Sequence, residues 1–435
     1  MNYKHIHFIG ISGISMSAIG EFTKIIYPNI TITGSTNDKE FKLNDIEINL
    51  HNKNNITKNI DLIVYSSAIS KNNEEIIEGK KQKIPLIKRC KFLNLITKKG
   101  TRVLITGSRG KTSTTTFLWQ FLKDLNPSLF VGAEIGTLNK AFFKGKNDLF
   151  IVEGDESDAS ILHLPSKYTI ITNLGNDHLE NYKDSYEEYL ACFKKYLLKI
   201  KKIKDHLIIY FGDDKILDNL VKSIKGLKGI SYGINKYNDI IINILEEKFN
   251  YLKWQINQDI FSVNISGIFN TLNITAAITL SNIFNIKVNN NIILEKPKRR
   301  MEYYQKNNRI IIDDYGVQPI AIKLVMKTVF KFFKKKDINI WWEPHRSTRV
   351  NRFIKDFKKI FNNTNIFIAP LYEPQMTNEY NKSIENLQKY FNYNKNVISY
   401  DNLENIFKEN SKNKITLIFS AGILSKKIIN IFNKI

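Results

Sequence analysis

Short apolar runs recur along this chain, and most of them end in small or polar residues and then pass into helix-like stretches. His5-Ile6-His7-Phe8-Ile9 enters Gly10-Ile11-Ser12-Gly13-Ile14-Ser15, and a helix follows to about Tyr27. Leu62-Ile63-Val64-Tyr65 enters Ser66-Ser67-Ala68-Ile69, and a further helix is predicted around Lys91 to Thr97. Val103-Leu104-Ile105 enters a glycine-bearing turn, and a helix leaves it from Ser113 to Leu122. Asp148 to Val152 and Tyr168 to Thr172 are two more buried strands. Arg309 to Ile312, Asn339 to Trp342, and units centred on Ile366-Phe367-Ile368 and Ile415 to Ile418 repeat the alternation. Strands alternating with helices predict an α/β fold with parallel sheets and crossover connections. From about Ile208 to Ile265 the period shortens, as in Tyr251-Leu252-Lys253-Trp254, which predicts an antiparallel extension. An apolar helix then runs from Gly267 to about Phe284.

In a parallel sheet, the residues just past the strand C-termini gather along one crest. Gly107-Ser108-Arg109-Gly110-Lys111-Thr112-Ser113 sits there as a strand-turn-helix phosphate cradle. Glycines let the backbone approach a phosphate, and the opening N–H groups of a helix point at the anion. Lys111 can reach outer phosphates and Thr112 can offer its hydroxyl to Mg²⁺. The loop is shorter than the general Walker A, because Ile105 stands where the first glycine would be. An ordinary strand-turn-helix is the plain alternative. Glu153, opening Glu153-Gly154-Asp155-Glu156-Ser157-Asp158, and His178 end the next two strands, so Lys111, Thr112, Glu153 and His178 are predicted neighbours. Hydroxyl and carboxylate suit Mg²⁺, whereas imidazole is a less usual partner for so hard an ion. His163 and His206 lack such company and read as structural. Asn270 and Asn273 are three apart, on one helical face, where two amides could read a base edge; N-capping is the alternative for Asn270. Arg346 and Arg349 flank a helix start on one face and suit carboxylates or phosphates. The Gly10 loop is not a nicotinamide fingerprint. Ser12 and Ser15 occupy glycine positions, and Thr31 to Thr33 ends in Gly34-Ser35-Thr36 rather than an acid. A diphosphate at that helix start still fits.

Size and charge narrow the picture further. A chain of 435 residues has room for several domains, and breaks fall at Lys98-Lys99-Gly100 and near Pro297. No run approaches a membrane span, and Met1 to Gly13 carries no signal peptide, so a cytoplasmic, membrane-free protein is expected. Two cysteines, Cys90 and Cys192, offer no disulfide framework. The net charge of +23 would suit a basic P-loop ATPase acting on nucleic acid. The lysines are scattered, however, in a chain rich in Lys, Asn and Ile throughout, so no nucleic-acid partner is expected.

Taken together these stretches resemble the Mur ligases, the ATP-dependent amide ligases of peptidoglycan synthesis. The resemblance is carried by His7-Phe8-Ile9-Gly10…Gly13…Met16-Ser17, Ser66 to Ile69, Gly107…Gly110-Lys111-Thr112 and Glu153…Asp155-Glu156-Ser157-Asp158-Ala159-Ser160. It continues through Thr172-Asn173…Asp177-His178, Asn270…Leu272-Asn273, Arg299-Arg300, Asp313 to Gly316…Pro319 and Pro344-His345-Arg346…Thr348-Arg349. It implies three domains: a Rossmann-like UDP-sugar domain (1–99), a central P-loop ATPase-like domain whose parallel sheet carries the antiparallel extension (100–296), and a C-terminal Rossmann-like α/β domain closing over both substrates (297–435). The alanine-adding branch fits best, with UDP-N-acetylmuramate and L-alanine as partners, ATP and Mg²⁺ as cofactors, and a monomer or weak homodimer as the assembly. ATP would phosphorylate the muramoyl carboxylate, and the amine of alanine would displace the phosphate.

By motif, the resemblance implies that Gly107 to Ser113 cradle ATP, with Lys111 on the outer phosphates. Thr112 and Glu153 would hold one Mg²⁺ and His178 a second metal. Asn270 and Asn273 would lie on the adenine side, Arg300 near the transferred phosphate and Asp314 at the ribose. His345, Arg346 and Arg349 would face the amino-acid and muramoyl end, and Gly10, Gly13 and Ser67 the UDP-sugar. Departures fall at Ser15, Thr36, Ser108, Arg109, Gly154, Met301 and Val317-Gln318, where the family carries other residues. A tripeptide-adding recycling ligase, a folate polyglutamylating ligase and a degenerate ligase that only binds are the related alternatives.

Overall fold

The computed structural model describes residues 1–37, 41–136, 138–176, 179–373, 378–412 and 414–435, leaving aside the side chains of 41, 42, 394 and 395. The chain divides into two compact units. The first comprises residues 1–245, 253–263 and 270–297; the second comprises 246–252, 264–269 and 298–435.

The first unit opens on a sheet whose strand order is Phe41–Leu43, Ile46–Leu50, Thr31–Thr36, His5–Ile9, Leu62–Tyr65, Leu86–Lys88. Its central strands pair in parallel, His5 to Ile9 against Thr31 to Ser35 and Ile6 to Ile9 against Leu62 to Tyr65. Ile6, Phe8, Ile9, Leu62, Ile63 and Val64 have no exposed surface, as expected of strands covered on both faces. Thr31–Thr36 runs three residues beyond the predicted strand, because Gly34 and Ser35 stay in register with Phe8 and Ile9.

The second sheet of this unit carries the cradle. Thr101–Thr106 lies at its centre, with Leu149–Glu153 and then Ser128–Ile135 and Lys140–Phe143 on one side. Tyr168–Ile171, Leu207–Phe211 and Gly229–Gly233 follow on the other side. Register sets the strand ends level: Glu153 pairs with Ile105, and Ile171 with Thr106. Leu207–Phe211 and Gly229–Gly233 both add in parallel, which corrects the antiparallel reading of that stretch at its start. The reason is an intervening helix, Lys215–Lys222, which supplies the crossover that parallel pairing needs. The strands Ile240–Lys248, Tyr251–Ile256, Asp259–Val263 and Asn291–Ile292 carry the order outward.

The second unit is built on a sheet ordered Glu302–Lys306, Arg309–Asp314, Ile415–Phe419, Ile338–Trp342, Asn365–Ile368. Glu302–Lys306, absent from the sequence reading, pairs antiparallel with Arg309–Asp314, and the inner pairs are parallel. Every residue of Ile338–Trp342 and Ile415–Phe419 is buried. Trp342 packs among Phe357, Phe361 and Phe391 with ring centroids 4.9–5.4 Å apart. Burial of so much aromatic surface, at about 25 cal/mol per Å², anchors the helices on this sheet. Among the described residues, no helix is long and apolar enough to cross a membrane.

Candidate active site

The turn after Thr101–Thr106 is held by the neighbouring strand end. Ser108 N–H donates to the Asn173 carbonyl (3.1 Å), and Arg109 N–H to Asn173 Oδ1 (3.2 Å). Thr172 Oγ1 and Asn173 Nδ2 donate back to the Arg109 carbonyl at 2.5 and 2.9 Å. Ser108 Oγ accepts from Gly175 N–H at 2.7 Å and lies 3.1 Å from the Tyr189 hydroxyl. These bonds fix a loop that ends at Gly110, with φ 83°, and hands over to the helix Lys111–Phe121. Asn273 presses against that corner: a Cβ built on Gly110 would lie 2.5 Å from Asn273 Oδ1. Asn273 also donates to Asn270 Oδ1 at 3.3 Å, and both amides are buried, so the predicted pair does share one face, with Asn273 against the loop.

Around the helix start the structure collects carboxylates. Lys111 Nζ donates to Glu156 Oε2 at 2.7 Å and to the Gly107 carbonyl at 2.6 Å. Thr112 Oγ1 donates to Glu153 Oε1 at 3.0 Å, and Glu153 Oε2 accepts from Gly132 N–H at 2.6 Å. Asp155 reaches Arg89, 3.8 Å away. Burial alone would lower the Lys111 pKa, but Glu156, Asp155 and Glu153 outweigh it and hold the ammonium protonated. Burial pushes the Glu156 carboxyl up. Burial also acts to raise Asp155, but Lys111 and Arg89 pull it below its ordinary value. Lys111, Thr112 and Glu153 are therefore neighbours, as predicted; His178 lies outside the described residues. Glu156 and Asp155 were not singled out, although both stand in the acidic string that Glu153 opens.

The first glycine loop meets the first serine turn. Gly10, with φ 80°, leaves room for Ile69 and Ser66, whose side-chain atoms would stand 3.0 and 3.5 Å from an added Cβ. Gly10 and Ile11 donate to the Ser35 carbonyl at 2.9 and 3.0 Å, and Gly13 opens the helix Ile14–Ile26. Ser67 is exposed beside them. Beneath, the Glu75 carboxylate accepts from Ser35 Oγ (2.5 Å), His51 Nδ1 (2.8 Å) and Asn55 Nδ2 (2.6 Å). Burial works against its charge, but these donors and His7 bring its pKa far below the ordinary range.

The second unit holds the remaining predicted residues. Asp314 is buried and accepts from Met301 N–H (2.9 Å) and Gly316 N–H (2.7 Å), tying two turns together; burial raises its pKa. The guanidinium groups of Arg299 and Arg300 lie 5.4 and 5.1 Å from the Tyr315 ring centroid. Asp313 accepts from Ser425 Oγ at 2.5 Å, lies 3.5 Å from Arg299 Nε, and is pushed up to about 6 by burial. Glu343 is buried, with no cation paired to it among the described residues, and accepts from Tyr400 Oη (2.7 Å), Ser420 Oγ (2.7 Å) and the N–H groups of Gly422, Ile423 and Leu424 (2.6–3.2 Å). His345 follows, stacked on Tyr372, with its Nδ1 taking a bond from Arg349 Nη1 at 2.9 Å. Arg346 and Arg349 do not share a face: Arg346 has φ 61°, which breaks the helical phase, and is exposed, whereas Arg349 is buried.

Comparison with known proteins gives the chain's family. The family profile described as Mur ligase family, catalytic domain, matches residues 5–101, and that of the Mur ligase middle domain matches residues 105–281. The UDP-N-acetylmuramate–L-alanine ligase of Pelagibacter ubique is 30% identical over 98% of this chain and 94% of its own length. That of Buchnera aphidicola is 32% identical over 99% and 90%. Among solved structures, a UDP-N-acetylmuramate–alanine ligase from Thermotoga maritima superposes with a TM-score of 0.78 at 22% identity, covering 99% of this chain and 98% of that one. A murein peptide ligase from Psychrobacter arcticus does so with 0.74 at 17%, covering the same shares. The cradle, the strand-end acids and these matches lead to one conclusion: the chain belongs to the Mur ligase family.

Proposed function

We propose that this protein is the ATP-dependent ligase that joins L-alanine to the carboxylate of UDP-N-acetylmuramate. The observation that carries the reading is the pairing of Lys111 with Glu156 and of Thr112 with Glu153 at the head of a phosphate cradle. The relatives at 30% identity or more, aligned over nearly the whole chain, support the choice of substrates.

A carboxylate and an amine do not condense readily in water. Phosphorylation supplies a good leaving group, and the amine of alanine then displaces it. In this reading Lys111 neutralises the outer phosphates, Gly107 to Ser113 cradle them, and Asn270 and Asn273 border the adenine. The hydroxyl of Thr112 and the carboxylates of Glu153 and Glu156 are hard oxygen donors of the kind Mg²⁺ takes, and three acids around one lysine leave charge that a divalent cation balances. Bound there, Mg²⁺ would supply Lewis-acid polarisation of the phosphates. His178 is assigned to a second metal by the same resemblance. Gly10, Gly13 and Ser67 serve the UDP-sugar. Arg300 serves the transferred phosphate, Asp314 the ribose, and His345, Arg346 and Arg349 the acid and amine. The chain works in three domains, 1–99, 100–296 and 297–435, as a cytoplasmic monomer or weak homodimer, without a nucleic-acid or membrane partner.

The test is phosphate release from ATP in the presence of UDP-N-acetylmuramate, scanned over single amino acids and the cell-wall tripeptide. Release that depends on alanine is expected. Release with the tripeptide alone transfers the assignment to the recycling ligase, and release with none of them overturns it.

A further inference from the structure

The cradle lies at the C-terminal ends of the central strands; a second feature lies at their opposite ends. Arg102, near the start of Thr101–Thr106, donates to the Pro165 carbonyl at 2.6 Å. Pro165 lines a cavity of about 400 Å³ with Lys91, Asn94, Lys98, His163 and Lys199. The helix Arg89–Thr97 contributes to both ends. Its first residue, Arg89, faces Asp155, whereas Lys91 and Asn94 line the cavity.

The charge of this cavity is one-sided. Lys199 Nζ donates to the Leu162 carbonyl at 2.8 Å, next to His163. Among the described residues, no ion pair engages Lys88, Lys91, Lys98 or Lys199. His163 is half-buried, and burial lowers its pKa; Lys91, Lys199 and Lys88 lower it further, and Asp158 opposes them more weakly. Lys91, Lys98 and Lys199 are exposed at the rim of the cavity, His163 is half-buried within it, and no acid is among the lining residues, so the charge facing the cavity is positive.

We propose that this cavity is a binding site for a phosphate-bearing anion, held by Lys91, Lys98 and Lys199 with His163 and Asn94 as further donors. The inference is independent of the ligase reading, because the cavity is remote from the cradle and uses none of its residues. The anion adds negative charge beside the imidazole, so protonation of His163 and anion binding favour each other.

The His163 imidazole carbon-bound proton, assigned by comparison with His163→Gln, reports this site even though the cradle also binds phosphates. Its titration is followed in the full-length protein with inorganic pyrophosphate, with inorganic phosphate, and with sodium chloride at matched ionic strength. With pyrophosphate the midpoint should rise by about one unit or more, the range a close opposite charge produces. In the Lys91→Gln/Lys98→Gln variant the anion-free midpoint should rise and most of the response should vanish. The proposal is overturned if pyrophosphate shifts His163 no more than matched chloride, or shifts the double variant equally. A response to pyrophosphate without one to phosphate identifies a larger anion as the occupant.

Discussion

Asn273 closes down on Gly110: its amide oxygen stands 2.5 Å from where a Cβ on that glycine would be. Two penalties therefore meet at one residue, the left-handed φ of 83° and the missing space. Gly110→Ala should lower stability in urea unfolding by about 1–3 kcal/mol and cut ATP-dependent turnover at least about tenfold. Adding Asn273→Ser should restore the part due to crowding and leave the part due to backbone strain. Equal loss in both variants would mean that only the φ matters.

Lys111→Met removes the cation from a buried acid. Turnover should fall by about a thousandfold or more, as losing a phosphate-neutralising group does. Glu156, left without its partner and already raised by burial, should then take up a proton on folding. A carboxyl whose folded pKa lies above its unfolded one favours the folded state at low pH, and that support disappears as the pH rises through the folded value. Relative to wild type, the variant should be least handicapped near pH 5 and most handicapped near pH 8 in denaturant melts.

Asp313 gives a pH test in the second unit. Its carboxyl stands at about 6 in the folded protein against 3.8 ordinarily. Between these values the folded chain holds a proton that the unfolded chain has released, so stability falls as pH rises through the window. Asp313→Asn removes that fall. The stability difference between variant and wild type should swing in the variant's favour by about 2–3 kcal/mol from pH 4 to pH 7.

Glu343 is a buried carboxylate answered by hydroxyl and backbone donors at the start of the helix Leu424–Lys434. Glu343→Ala should cost about 3–5 kcal/mol, because those donors lose their acceptor. Glu343→Gln keeps the shape and should cost less. Since Pro344 and His345 follow directly, the Gln variant should raise the KM for the amino acid more than it lowers kcat, as measured by initial rates.

Much of this was legible in the chain. Strands covered on both faces write themselves as apolar runs, so the level ends at Thr106, Glu153 and Ile171 could be anticipated. Which acid of Glu153 to Asp158 turns back to Lys111 could not, because the path of an irregular loop is set by tertiary contacts such as that of Tyr182 with Glu156. The helix Lys215–Lys222 was missed, and with it the parallel pairing it permits. His163 looked isolated because the lysines around it come from two segments distant in sequence, 88–98 and 199, joined only by the fold.

The ion pair at the head of the cradle has a consequence for turnover. With Lys111 on the outer phosphates as proposed, an entering nucleotide would have to bring enough charge to unseat Glu156, the counterion the lysine already has. After transfer, a diphosphate would compete less well for the ammonium, and the returning acid would favour its release. Discrimination at entry and expulsion at exit would then be two directions of one swap.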